Sequence, residues 1–112
     1  MKKDDCIFCK IASGDFGTEF IIETEDLVAF RDINPQAPEH ILVIPKEHYD
    51  NITEVKSQEL LGKLMNGVQQ VTEKIGLKSF RTVINTGEEA GQTVFHIHIH
   101  ILGGKQLGST FD

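Results

Sequence analysis

The sequence has no tryptophan, one tyrosine, two cysteines and three prolines. Two cysteines cannot build the disulfide framework of a small secreted domain. Basic residues are outnumbered, 11 Lys and Arg against 17 Asp and Glu, for a formal charge of −6. That balance argues against a protein that grips a nucleic-acid polymer by its backbone. It leaves room for a mononucleotide, whose phosphates can be held by backbone amides, histidines and hydroxyls. No apolar run approaches the roughly 20 residues that span a bilayer, so no membrane partner is expected. The opening "MKKDDCIF" shows no readable signal peptide. The expected compartment is therefore the cytoplasm, where the cysteines are thiols or metal ligands.

With 112 residues, a single domain over 1–112 is expected. Residues 6–13, "CIFCKIAS", read as a short helical turn before Gly14. Residues 20–33 read as two short strands about an acidic Glu23–Asp26 turn, and 34–40, with two prolines, as a loop. "ILVIP" (41–45) has the continuous apolar character of a buried central strand. In 57–75, Leu60, Leu61, Leu64, Val68, Val71 and Ile75 form one helical stripe, with Ser57 as N-cap and Gly76 past the end. Gly62 and Gly67 each weaken that helix by roughly 1 kcal/mol, which predicts close packing at both points. Strands at 80–86 and 94–102 complete an α+β sheet with helical cover on one side.

Three of the five histidines stand in "QTVFHIHIHILGG" (92–104), alternating with isoleucine. On a strand, His96, His98 and His100 share one face and Ile97, Ile99 and Ile101 the other. The isoleucine face is ordinary core. Three histidines in strict alternation are too many for a chance surface, leaving a His₃ metal site or nucleophilic catalysis. Same-face neighbours lie about 6.7 Å apart and the outer pair about 13 Å, so all three on one metal would strain a straight strand. An array with separate roles fits more easily. Neutral imidazole is a good nucleophile near pH 7, and on phosphorus it gives an intermediate that water can cleave.

"HIHIHIL" resembles the His-x-His-x-His motif of the histidine-triad (HIT) superfamily of nucleotide hydrolases and transferases. "CIFCKI", "AFRDINPQAPEHILVIPKEHY" and "VINTGEEAGQTVFHIHIHILGG" resemble its Hint-like, nucleoside phosphoramidase branch, in the same order and almost end to end. The resemblance implies a five-stranded antiparallel sheet with one long helix and a short N-terminal helix. It also implies a homodimer that extends the sheet across a two-fold axis. The implied activity is hydrolysis of purine nucleoside 5′-phosphoramidates or related phosphoesters to the monophosphate, through a nucleotidyl-histidine. Two other classes stand beside it: a purine-nucleotide-binding or interaction protein with incidental turnover, and a His-ligated metal hydrolase.

The resemblance makes His98 the nucleophile, puts His100 against the phosphate oxygens and sets His40 behind the nucleophile to manage its proton. Asn85, Gly91, Gln92 and Thr93 would form the phosphate-side loop, with amide and hydroxyl donors in an oxyanion-hole role. Asp32 would accept from the ribose hydroxyls, although Asp before "INP" also suits a plain turn. Ile7, Phe8, Ile11, Phe30, Ile33 and Leu42 would line a base pocket; each also reads as core.

Cys6 and Cys9 form a Cys-x-x-Cys with no strand before it, a poor redox motif. They read as buried thiols or as half of a zinc site. Some HIT proteins bind zinc through such a pair, and here the resemblance implies Cys6, Cys9, His48 and His96 as a closed, structural Zn²⁺ site. No organic cofactor is implied. The tail after "ILGG" is short and lacks the aromatic segment of many Hint-like relatives.

Overall fold

The computed structural model describes residues 3–109. Its sheet runs β1 (Ile22–Glu23), β2 (Leu27–Arg31), β3 (Glu39–Pro45), β5 (Ile99–Gly103) and β4 (Phe80–Val83), in that spatial order. Every neighbouring pair is antiparallel. This is the expected α+β architecture with five antiparallel strands.

The long helix α2 (Gln58–Ile75) starts where expected, because the Ser57 side chain accepts the Leu60 amide at 3.0 Å. It stops at Gly76, whose φ of 72° is the left-handed value glycine adopts freely. Leu64, Val68 and Val71 pack on Leu27, Ala29, Ile41, Val43, Ile97, Ile99 and Ile101 to form the larger core. Gly67 is the close approach that was expected: a Cβ there would sit 3.2 Å from Leu27 and 3.3 Å from Val43. Gly62 is not, since a Cβ there would meet nothing within 4 Å.

Helical cover lies on both faces of the sheet, not one. The short α1 (Ile7–Ala12), capped by Cys6, packs Phe8, Cys9 and Ala12 on Val28, Phe30, Leu42 and Ile44. Alternation along β2 and β3 thus separates two cores: odd residues face α2, and even residues face α1 and the histidines.

Strand limits also depart from expectation. The first hairpin turns over Thr24–Asp26, where Thr24 Oγ1 accepts the amides of Asp26 and Leu27. β3 begins at Glu39, two residues inside the expected loop, and β4 ends at Val83 instead of 86. The largest departure is β5, which starts at Ile99 rather than 94. His96 and His98 therefore precede the ladder, yet Ile97, Ile99 and Ile101 still face α2 while the histidines face away. No helix among the described residues is long and apolar enough to cross a membrane.

Candidate functional site

A cleft of about 640 Å³ opens on the α1 face, floored by the histidines. Its reactive centre is best understood through ring tautomers, which the backbone assigns. His98 is 6% exposed, and its Nδ1 lies 2.8 Å from the His96 carbonyl. A carbonyl only accepts, so Nδ1 carries the proton and Nε2 keeps its lone pair. The Phe8 ring abuts His98 edge to face, centroids 5.1 Å apart at 88°, and holds the imidazole plane.

The other two histidines form a relay. The Gln36 amide donates to His40 Nδ1 at 3.0 Å, so the His40 proton must sit on Nε2. That Nε2 donates to His100 Nδ1 at 2.9 Å, which leaves His100 with its proton on Nε2. A donor and a nucleophilic lone pair thus stand side by side, on rings 4.8 Å apart. His40 lies behind His100 and not behind His98, because in β3 it is Leu42 that pairs with His100. The place expected for His40, behind His98, is therefore corrected to one against His100.

Burial favours the neutral form of all three rings. It lowers His98 and His40 below the usual imidazole range, against the opposing pull of nearby Asp32. His100 is pushed down to about 4, first by burial and then by His98 and His40.

Thr93 and Gly91 line the cleft near the triad, and Phe30, Leu42, Ile7 and Ile11 form its apolar wall. Ile33 stands at the mouth, 91% exposed. Asp32 lines the cleft while serving a turn as well: Oδ1 accepts the Asn34 amide at 2.8 Å, and Oδ2 lies 3.5 Å from His40 Nε2. Two expected phosphate-loop residues do not line the cleft. Asn85 sits behind Gly91, and the Gln92 side chain is buried with three backbone partners. Sequence reasoning missed Thr18, Arg31, Asn34, Gln36 and Val94, which do line it. Gln36 acts through its amide, a group with no sequence signal.

On the other flank, Cys6, Cys9, His48 and His96 bring four ligand atoms within 4.8 Å of one another. Cys6 Sγ lies 3.3 Å and Cys9 Sγ 3.5 Å from His96 Nδ1, and Cys9 Sγ lies 3.4 Å from His48 Nδ1. The edge between sulfur and nitrogen in a tetrahedral zinc site is roughly 3.6 Å, from bond lengths of about 2.3 and 2.05 Å. Both rings point the correct atom inward. His96 Nε2–H donates to the Pro45 carbonyl at 2.8 Å and His48 Nε2–H to Asp50 at 2.7 Å, so both Nδ1 lone pairs face the thiols. The cluster can hold a metal ion, with ligand orientation fixed before it arrives. Burial raises the Cys6 thiol and lowers His96 to about 4, so a bound cation must draw the proton from Cys6 and meets a neutral imidazole at His96.

Comparisons with known proteins place the chain in a family. The HIT domain family model matches residues 14–107. Protein HitA of Neisseria gonorrhoeae is 48% identical over 103 residues, covering 89% of this chain and 96% of its own. A 14 kDa zinc-binding protein of Zea mays is 44% identical over 107 residues, covering 90% and 83%. A histidine triad protein from Clostridium difficile superposes with a TM-score of 0.94 at 38% identity, over 99% and 100% of the two chains. A HIT family hydrolase from Legionella pneumophila gives 0.89 at 40%, over 94% and 97%. The chain belongs to the histidine-triad family.

Proposed function

We propose that this protein is a cytoplasmic, homodimeric hydrolase of purine nucleoside 5′-phosphoramidates, or related phosphoesters, acting through a covalent nucleotidyl-His98. One observation carries the reading above the rest. His98 is buried with its neutral form favoured, its Nδ1–H is held by a carbonyl, and its Nε2 lone pair faces a nucleotide-sized cleft. The Legionella hydrolase of the same fold supports the reaction class.

In the proposed chemistry His98 Nε2 attacks the α-phosphorus, an N–P bond forms, and the phosphoramidate P–N bond breaks. The amine departs with a proton from solvent. Water then attacks phosphorus, returns a proton to solvent and frees neutral His98, leaving the monophosphate. His100 Nε2–H, backed by His40, donates to a non-bridging oxygen, with the Thr93 hydroxyl as a further donor. Asp32 Oδ2, free of the turn, accepts from the ribose, and the wall around Phe30 and Leu42 takes the purine. β4 is one of the two edge strands of the sheet, and the one on which a second copy would continue it.

Zinc is the ion that two thiolates and two imidazoles suit, and the zinc-binding relative from Zea mays supports that choice. Bound there, it would supply a closed structural link between α1 and the sheet.

A metal hydrolase has one observation in its favour: Asp32, His40 and His100 also bring ligand atoms within 4.8 Å of one another. The Gln36 amide weighs against it. By occupying His40 Nδ1 it keeps the proton on Nε2, the atom that would have to ligate. The deciding experiment measures turnover of an adenosine or guanosine phosphoramidate by wild type and His98→Ala, each with and without chelator. The expected result is a drop of at least roughly 10³-fold in His98→Ala, in line with loss of a nucleophile elsewhere. Turnover surviving in His98→Ala but abolished by chelator would establish the metal hydrolase. Binding without turnover in wild type would establish the binding module.

A further inference from the structure

Gln92 is a buried polar side chain with no share in the chemistry above. It is 2% exposed, sits in the loop that presents Gly91 and Thr93, and points away from the cleft. All its hydrogen-bonding groups are matched to backbone. Oε1 accepts the Gly87 amide at 2.8 Å; Nε2 donates to the Val94 carbonyl at 3.1 Å and the Asp50 carbonyl at 2.6 Å. Two of these bonds close the loop on itself. The third leaves it for a residue 42 positions away.

Asp50 is also what holds His48, whose Nε2–H meets the Asp50 carboxylate at 2.7 Å while Nδ1 faces Cys9. A continuous path therefore runs from the thiols through His48, Asp50 and Gln92 into the loop. A second runs through His96, whose Nδ1 faces both thiols and whose carbonyl fixes the His98 tautomer. The two paths leave one cluster and end at loop 87–94 and at His98. The loop needs such a brace, since it carries glycines of positive φ at Gly87 and Gly91, 92° and 95°, and no regular sheet pairing spans it. A metal on His48 Nδ1 locks that ring, the ring locks Asp50, and Asp50 sets the outer anchor of Gln92.

We propose that Gln92 is a positioning residue that, through Asp50, couples metal occupancy of the Cys6–Cys9–His48–His96 cluster to the placement of loop 87–94. That this loop faces a phosphate rests on the function proposed above; the coupling does not.

The test measures hydrogen exchange over residues 86–95 in zinc-loaded and chelator-stripped protein, for wild type and Gln92→Ala. The expected result is that zinc slows the wild-type loop about tenfold, the equivalent of one buried hydrogen bond. In Gln92→Ala the loop exchanges fast in both states, and zinc changes it less than about twofold. Coupling is reciprocal, so Gln92→Ala also weakens zinc in chelator competition by the fold-change lost from the loop. Activity follows as a lower kcat with little change in KM. If Gln92→Ala does not fold, Asp50→Ala removes the carboxylate that holds His48 but keeps the carbonyl that Gln92 meets, so the loop keeps its Gln92 bonds and zinc changes its exchange less than about twofold. An equal zinc effect in wild type and variant, or none in wild type, overturns the proposal. Intact coupling in a protein that never turns over a phosphoramidate supports the bridge and counts against the cleavage chemistry instead.

Discussion

The pH dependence of cleavage follows from the buried triad, and the perturbation is simply acid. The reactive form needs neutral rings, so protonation abolishes attack. An imidazole with the ordinary pKa of about 6.5 is only roughly one-tenth neutral at pH 5.5, which would cut the rate about tenfold from its plateau. Burial moves the triad the other way. With His100 near 4, that ring is still roughly 97% neutral at pH 5.5, and His98 and His40 are lowered in the same direction. The acid limb of kcat/KM, which reports the free enzyme, is therefore displaced downward. Between pH 7.5 and 5.5 we expect a fall clearly smaller than the roughly tenfold of an ordinary imidazole. The assay is steady-state release of monophosphate, corrected for the P–N cleavage that acid promotes unaided, with bound zinc measured at each pH. A tenfold fall centred on pH 6.5 with zinc retained would refute the claim that burial favours the neutral form of the triad.

Other perturbations separate stability from chemistry. Gly62→Ala, with open space at an exposed helix position, stabilises by up to about 1 kcal/mol, an upward shift of roughly 4 °C in thermal melting. Gly67→Ala gains the same propensity, but its Cβ presses on Leu27 and Val43 at 3.2 and 3.3 Å, so it melts lower than wild type by calorimetry. Ser57→Ala removes the N-cap of α2 and costs about 1 kcal/mol in urea unfolding, with activity unchanged. Chelation of bound zinc lowers the melting temperature and makes Cys6 and Cys9, both buried, titratable by a thiol reagent. Thiol reactivity unchanged by chelator would refute metal occupancy.

Much of the architecture is legible in the sequence because its cues are local. Ser57, the Leu64–Val68–Val71 stripe and Gly76 define α2 without outside help. The His–Ile alternation tells correctly which side chains face α2 even at His96 and His98, where no ladder exists. What escapes is whatever the backbone decides. β5 begins late because the chain at 96–98 has other partners: the His96 carbonyl holds His98, and the Ile97 amide donates to the Tyr49 carbonyl at 2.7 Å. β3 begins early because the His40 carbonyl accepts the Asp32 amide, drawing Glu39 and His40 into the sheet. Gln92 reads as a phosphate ligand by its place in "GQT"; its real partners are main-chain groups of Gly87, Val94 and Asp50. The metal cluster is legible residue by residue, but the ring orientations that make it usable depend on Pro45 and Asp50. Phe8 reads as base-pocket wall, and only the fold shows its ring perpendicular to that of His98.

The covalent step is most directly tested by intact-protein mass spectrometry of an acid-quenched or rapidly sampled reaction with adenosine phosphoramidate, followed by peptide mapping. A mass increase of one nucleotidyl group, mapped to His98 and absent from His98→Ala, is the expected finding. Turnover with no adduct at any sampled time, or an adduct mapped to another residue, would contradict nucleophilic catalysis by His98.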